Sequence, residues 1–357
     1  MKKIIITGVT GQDGSFMADY LLKNTDHTII AGVRRLSVPN HKNIKHLIGN
    51  PRFKLIDLDI TDTQNVEEVI RVEQPDYFIN FAANSFVGNS WSMPVNHFNT
   101  NCMPVLYQLE AIRKFAPKCR YYNAGSSEEF GDVVTVPQSE EHPLRPRSPY
   151  GAAKASARHL VKVYRDSYDL YAIQGWLFNH EGVRRGEEFV TRKITKNVAR
   201  IKHAIENQIP FEPLMLGNLE SKRDWSDAED FVEGVWLMLN QEEPKEYVLS
   251  SNETHTIKEF VELAFEAAGI EGIWFGQNLD TLYLLPNYLV DFVGLPQIKL
   301  VAIDEKFYRP AEVDLLLGDS TKARKDLNWE PKTSFKDLVK KMVANDLNEY
   351  RLEHGEV

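Results

Sequence analysis

Lys3-Ile4-Ile5-Ile6-Thr7-Gly8-Val9-Thr10-Gly11-Gln12-Asp13-Gly14-Ser15-Phe16-Met17-Ala18-Asp19-Tyr20-Leu21-Leu22 is the segment from which the architecture can be read. Lys3–Thr7 is a short β-branched run stopped by glycine, and over residues 15–22 Phe16, Met17, Tyr20 and Leu21 recur at helical spacing. The pattern predicts strand, tight turn, helix. Gly8, Gly11 and Gly14 let the chain turn sharply, so that backbone N–H groups around Thr10, Gln12 and Asp13 can approach a pyrophosphate at the positive end of the helix. Alone, a glycine triplet is only a turn; after a strand and before a helix it points to dinucleotide binding.

Working outward, strand-like runs follow at residues 27–33, 53–60, 77–82, 120–124 and 171–178, with helical patterns at 66–73, 105–115 and 152–167. This alternation predicts an α/β fold, a doubly wound parallel Rossmann sheet with helices on both faces. Beyond Asn179 the pattern loosens into a charged loop, a helix over 191–206 and a short strand at 214–216. Residues 227–239 and 247–250 read as a helix and strand returning to the main sheet. Patterns at 256–268, 307–317 and 335–350 complete a smaller α/β domain, while 272–303 has no dependable period. The expected division is 1–178 plus about 224–250 for the dinucleotide-binding domain and 179–223 plus 251–357 for the substrate domain.

The chain has 357 residues, 43% hydrophobic and 26% charged, which is ample for a core and an attached second domain. A formal net charge of -9 argues against a general nucleic-acid binder, so an anionic ligand must be small and locally held. Cys102 and Cys119 supply neither a disulfide framework nor metal-ligand spacing; a reducing cytoplasm is the expected location and no metal site is expected. The apolar stretch after Lys3 is too short for a signal peptide, no run approaches the ~20 apolar residues of a membrane span, and no membrane contact is expected.

At the end of the second strand an NAD site would carry an acidic residue, but Gly32-Val33 runs into Arg34-Arg35. Two cations there suit a 2′-phosphate, and hence NADP, or else form a solvated surface pair. Asp59 and Ile60, ending the third strand, could flank an adenine, or Asp59 could cap a loop. Tyr150 and Lys154 lie four apart on one helical face, where a lysine lowers the phenol's pKa and a phenolate can take a proton from a sugar hydroxyl. Such a pair on a helix is often structural; behind this glycine turn it reads as catalytic. Gly125-Ser126-Ser127-Glu128 falls at the carboxyl edge of the fifth strand. Ser126 could hold the reacting hydroxyl, and Glu128 supplies an acid that a simple reductase does not need, or else caps a helix.

With these stretches, the chain resembles the GDP-mannose 4,6-dehydratase family of extended short-chain dehydrogenases/reductases. The resemblance also runs through Leu177-Phe178-Asn179-His180-Glu181, Arg184-Arg185-Gly186, Phe189 to Thr195, Leu216-Gly217-Asn218, Lys222-Arg223-Asp224-Trp225 and Arg309 to Asp314. It implies that Tyr150 is the base for the sugar 4-hydroxyl, that Lys154 tunes it and binds the nicotinamide ribose, and that Glu128 acts as base and then acid in eliminating water across carbons 5 and 6. It implies NADP as a cofactor regenerated in each turnover, with Ala82, His180 and Arg185 among its contacts. Around the GDP-linked sugar it places Ser85, Asn179, Val190, Lys193, Leu216, Asn218, Lys222, Arg223, Arg309 and Glu312. Lys193, Arg223 and Arg309 are cations suited to a diphosphate, and Glu312 can accept from a ribose hydroxyl pair.

In relatives the Arg184-Arg185 loop reaches a neighbouring subunit's cofactor, which implies a homodimer or homotetramer. The chain departs from the family pattern where Gly125-Ser126 replaces Ser-Thr and Glu129-Phe130 replaces a more apolar pair. The loss of the threonine methyl enlarges the pocket and leaves room for a related sugar such as a GDP-manno-heptose. A nucleotide-sugar epimerase or reductase keeps the same fold with different chemistry, and a non-catalytic NADP-sensing protein would have no need of Tyr150 and Lys154.

Overall fold

The strands Lys3–Thr7 (β1), Thr28–Val33 (β2), Phe53–Asp57 (β3), Tyr77–Asn80 (β4), Arg120–Ala124 (β5) and Ala172–Leu177 (β6) pair in parallel, and Val248–Leu249 closes the sheet beside β6. The order, Val248–Leu249, β6, β5, β4, β1, β2, β3, reverses direction between β1 and β4. Such a switch point is where open α/β sheets bind ligands, beyond the strands' carboxyl ends. Ile4, Ile5, Ile6, Phe78 and Ile79 are fully buried, because helices cover both faces and leave no alternation of apolar and polar residues. One cover is built from Met103–Phe115, whose Val105, Leu109 and Ile112 meet Ile5, Ile30, Phe78 and Tyr121.

The computed structural model describes residues 1–286, 298–307 and 315–355. The chain forms two compact units, the first of Met1–His180, Asp224–Glu253 and Leu316–Lys332, the second of Glu181–Arg223, Thr254–Leu315 and Thr333–Val357. In the second unit the helices Val190–Glu206, Ile257–Ala267 and Phe335–Glu353 pack on one another. Leu214–Leu216 pairs in parallel with Lys299–Ile303, which continues antiparallel through Leu282–Leu284 to Ile273–Phe275. Among the described residues no helix is long and apolar enough to cross a membrane, and no group of three or more His, Cys, Asp or Glu could hold a metal ion.

Several boundaries differ from the sequence reading. The helix Pro94–Asn101 was not anticipated, since its surface is mostly polar; it starts on a proline, which needs no N–H partner at the first helical position. β3 stops at Asp57, before the expected residue 60, because Asn65 Oδ1 takes the Asp59 N–H at 2.8 Å and Asp59 turns the chain onto Thr61. Among the described residues of the stretch without a clear period lie three strands, each only three to five residues long. Residues 316–332, expected in the substrate domain, belong to the first unit, where Trp329 Nε1 donates to Asp230 O at 2.9 Å.

Candidate active site

The turn after β1 is too tight for side chains. Gly8 has φ +68°, and a Cβ there would stand 2.7 Å from Ala82 N, while one on Gly14 would stand 2.4 Å from Gly8 O. The helix that follows, Gln12–Asn24, has no side-chain cap at Gly11, which fits a start left open for an anion. Gln12 donates to Asp13 Oδ1 and to His180 O at 3.0 Å each, and its own Oε1 is buried without a partner. Asp13 Oδ2 lies 2.9 Å from His180 Nε2, the other ring nitrogen is 2.7 Å from Phe178 O, and the ring stacks on Phe231. Thr10 is tied to Asn43, whose amide donates to the Thr10 carbonyl. An uncapped helix start and an orphaned buried amide oxygen beside this tight glycine turn together fit a dinucleotide. The Ala82 N–H donates to Thr7 Oγ1, Ile60 is buried, and Arg34, Arg35 and Ser85 are exposed. Asp59 spends its carboxylate on the N–H and hydroxyl of Thr61, the loop-capping alternative.

Helix Pro149–Tyr168 begins with Ser148 accepting from the Gly151 N–H at 3.0 Å and with Pro149 in its first turn. One helical turn apart, Tyr150 and Lys154 are both buried, and the ammonium lies 5.9 Å from the phenol ring centroid. Lys154 Nζ donates to Ala124 O at 2.8 Å, at the end of β5. Burial lowers its pKa to about 8, against the opposing pull of the Glu129 and Asp13 carboxylates. Ser126 is the extended cap of the 3-10 turn Ser127–Glu129: its hydroxyl accepts from the Glu128 N–H at 3.2 Å, and its own N–H donates to Glu129 Oε1 at 2.8 Å. A Cβ on Gly151 would meet Glu128 O at 2.5 Å, so this turn abuts the start of the Tyr150 helix. Ser126, Glu128, Tyr150 and Lys154 are thus gathered at the carboxyl end of β5.

Sequence reading passed over His97, which lies in the unexpected helix. Its ring stands edge-on to Tyr150 with centroids 6.1 Å apart, it is fully buried with neither nitrogen hydrogen-bonded, and burial pushes its pKa down. It also passed over a row of buried polar residues beneath the site, Thr7, Asn80, Asn123 and Gln174. The available signal was a polar side chain within or ending each of these otherwise largely apolar strands.

Asn179, at the end of the first unit, has a buried Oδ1 without a partner. In the second unit Val190 opens the helix Val190–Glu206. Lys193 donates to Met215 O at 2.7 Å and lies 3.5 Å over the Phe307 ring, with its pKa lowered by burial and then by Lys306. Leu216 is buried; Asn218 lines a cavity of about 350 Å³ with Leu219, Lys258, Trp274 and Gln277. Lys222 is exposed, while Arg223 is buried and donates to the Lys222 carbonyl. Arg185 pairs with Glu181 at 3.0 Å and covers the Phe189 ring at 3.5 Å. Arg309 and Glu312 lie outside the described residues.

A family model described as GDP-mannose 4,6 dehydratase matches residues 5–342. The chain belongs to the GDP-mannose 4,6 dehydratase family. It is 42% identical over 354 residues to GDP-mannose 4,6 dehydratase of Drosophila melanogaster, covering 97% of this chain and 86% of that one. The Dictyostelium discoideum protein of the same name is also 42% identical, over 97% of this chain and 96% of its own, and the human one 39% identical over 96% and 91%. Among solved structures, dTDP-glucose 4,6-dehydratase of Bacillus anthracis in complex with NAD shares the fold with a TM-score of 0.77 at 22% identity, covering 99% of this chain and 98% of that one. UDP-glucose 4-epimerase of Thermotoga maritima with UDP-glucose does so with 0.78 at 23% identity, covering 98% and 99%.

Gly125 and Glu129 lie against each other beside Arg158. A Cβ on Gly125 would stand 2.1 Å from Gly175 O, 2.7 Å from an Arg158 amine nitrogen and 2.8 Å from Glu129 Oε1. Glycine at 125 is therefore the residue that this backbone and the buried Glu129 carboxylate leave room for.

Proposed function

We propose that this chain is a nucleotide-sugar 4,6-dehydratase, a lyase converting GDP-mannose to GDP-4-keto-6-deoxymannose with NADP as its cofactor. The observation that carries the reading is the convergence of Tyr150, Lys154, Ser126 and Glu128 at one corner of the sheet in a chain about 40% identical to dehydratases over nearly its whole length. Gly8 to Gly14 would hold the pyrophosphate, Arg34 and Arg35 the 2′-phosphate, and Lys154 the nicotinamide ribose. A bound nicotinamide would supply hydride acceptance from carbon 4 and hydride donation to carbon 6, with zero net redox change.

The protein's own part is proton handling. Tyr150, as phenolate beside the Lys154 ammonium, takes the proton of the 4-hydroxyl, while Ser126 Oγ holds that hydroxyl. A ketone at carbon 4 acidifies the proton on carbon 5. Glu128 removes that proton and delivers it to the carbon 6 hydroxyl, which departs as water; once hydride is back on carbon 6, carbon 5 takes up a proton from solvent, completing the 6-deoxy product. Lys193 and Arg223, with Arg309, are the proposed diphosphate contacts, and Asn179 with its unpartnered oxygen a proposed sugar contact. The assembly proposed is a homodimer or homotetramer, which light scattering on the purified protein reads directly.

Incubating the purified protein with NADP and GDP-mannose tests the reading. A product lighter by one water supports it; unchanged substrate, or an isomer of unchanged mass, overturns it in favour of a different sugar or of epimerisation. A parallel incubation with GDP-manno-heptose reports whether the smaller Ser126 side chain has shifted the substrate.

A further inference from the structure

Beneath the candidate site a hydrogen-bonded row of side chains crosses four adjacent strands in register: Thr7 is opposite Asn80, Asn80 opposite Asn123, and Asn123 opposite Gln174. Every link runs donor to acceptor in one direction. The Ala82 N–H donates to Thr7 Oγ1 at 3.2 Å, the Thr7 hydroxyl to Asn80 Oδ1 at 2.5 Å, Asn80 Nδ2 to Asn123 Oδ1 at 2.7 Å, and Asn123 Nδ2 to Gln174 Oε1 at 2.7 Å. Gln174 Nε2 then donates to Glu129 Oε1 and to the Lys154 carbonyl, both at 3.0 Å. Each of these five side chains is at most 4% exposed.

A row of that polarity needs a pure acceptor at its end, and Glu129 is one. Its Oε1 also takes the Ser126 N–H at 2.8 Å, and its Oε2 takes Arg158 Nε at 2.5 Å. Arg158, two turns beyond Tyr150, is fixed in turn by the carbonyls of Gln174 and Gly175 and by Glu246. The carboxylate is therefore joined directly to the turn bearing Ser126 and Glu128 and to Arg158 of the Tyr150 helix, and through Gln174 to the Lys154 carbonyl and the rest of the row.

We propose that Glu129 is a positioning residue: it sets the Ser126–Glu128 turn and the helix bearing Tyr150 and Lys154 against each other. The proposal rests on the dehydratase reading for the roles of Ser126, Glu128 and Lys154.

Glu129→Gln tests it with the core still filled. The single amide oxygen goes to the charged Arg158, the stronger donor, which turns the NH2 group toward two other donors, Ser126 N–H and Gln174 Nε2. With GDP-mannose, kcat falls about tenfold or more while KM and the NADP dissociation constant stay as in the wild type. An unchanged kcat, or a fall matched by loss of substrate or NADP affinity, overturns the proposal. Amide exchange at Ser126 is read on the same protein and accelerates selectively in the variant; retained protection there overturns the proposal even if wild-type protein fails to dehydrate GDP-mannose, an outcome that instead defeats the functional reading. Should Glu129→Gln not fold, Gln174→Met cuts the links to Glu129, Lys154 and Asn123 and lowers kcat in the same selective way, a normal kcat again being the contrary result.

Discussion

The corner at Ser126, Glu128, Tyr150 and Lys154 and the arginine pair after β2 are both candidate contacts of one cofactor-dependent reaction, yet they are built in opposite ways. At the corner Tyr150 and Lys154 are buried, and the ammonium and the Ser126 N–H both have protein acceptors within 3 Å. Arg34 and Arg35 are exposed beyond the last residue of β2. Proton transfer tolerates little misplacement, whereas a phosphate can be met by long cations that order as it binds. The rigid corner is where the proposed proton transfers would occur, and the exposed arginines are where the proposed phosphate contact would form.

The largest expected effect breaks the corner. Tyr150→Phe removes the proton carrier, and kcat falls by about 10²- to 10⁴-fold while titration still shows NADP binding; a variant keeping most of its activity would remove the proposed base. Next is Glu128→Gln, in which oxidation at carbon 4 proceeds but elimination stalls. In a single turnover the absorbance of reduced nicotinamide then rises and persists, whereas normal product formation would take Glu128 out of the chemistry. Replacing Arg34 and Arg35 together with Ala tests the other region: NADP binding weakens about ten- to a hundredfold with NAD binding little altered, and equal loss for both cofactors contradicts a 2′-phosphate contact.

The pH profile sharpens the same contrast. Lys154, facing Glu129 and Asp13 and sharing a helix face with Tyr150, titrates at about 8 rather than near 10.5 because burial disfavours its charge. It is an ammonium below that pH and neutral above it, so the phenolate loses its positive neighbour as pH rises. Turnover at saturating substrate is expected to decline above about pH 8, and a flat profile well beyond it would mean that the charge does not matter. The smallest effect lies outside both regions: Ser334→Ala removes the cap that holds the Asp337 N–H at 3.2 Å, costing about 1 kcal/mol in thermal unfolding with kcat unchanged.

Much of this was legible in the sequence because periodicity and backbone chemistry leave strong marks. The run Lys3–Thr7 ending at Gly8 could hardly be anything but a strand and turn, and the spacing of Tyr150 and Lys154 fixed their shared helical face. Helix Pro94–Asn101 left no such mark, because only His97 and Asn101 of its residues are buried. The strands of 272–303 were too short to show a period, and the return of 316–332 to the first unit depends on tertiary packing of Trp329, which no local pattern encodes. Glu129 was visible as a departure, but its function as acceptor depends on partners 29 and 45 residues away.

The central claim is that a carboxylate at 128 moves a proton between carbon 5 and the leaving hydroxyl of a GDP-linked sugar. Mass spectrometry of the product made from GDP-mannose in heavy water reads this directly. The account predicts loss of one water and uptake of solvent deuterium at carbon 5 by the wild-type protein, with neither in Glu128→Gln. Product formed by the variant at the wild-type rate, or a wild-type product that has lost no water, would contradict it.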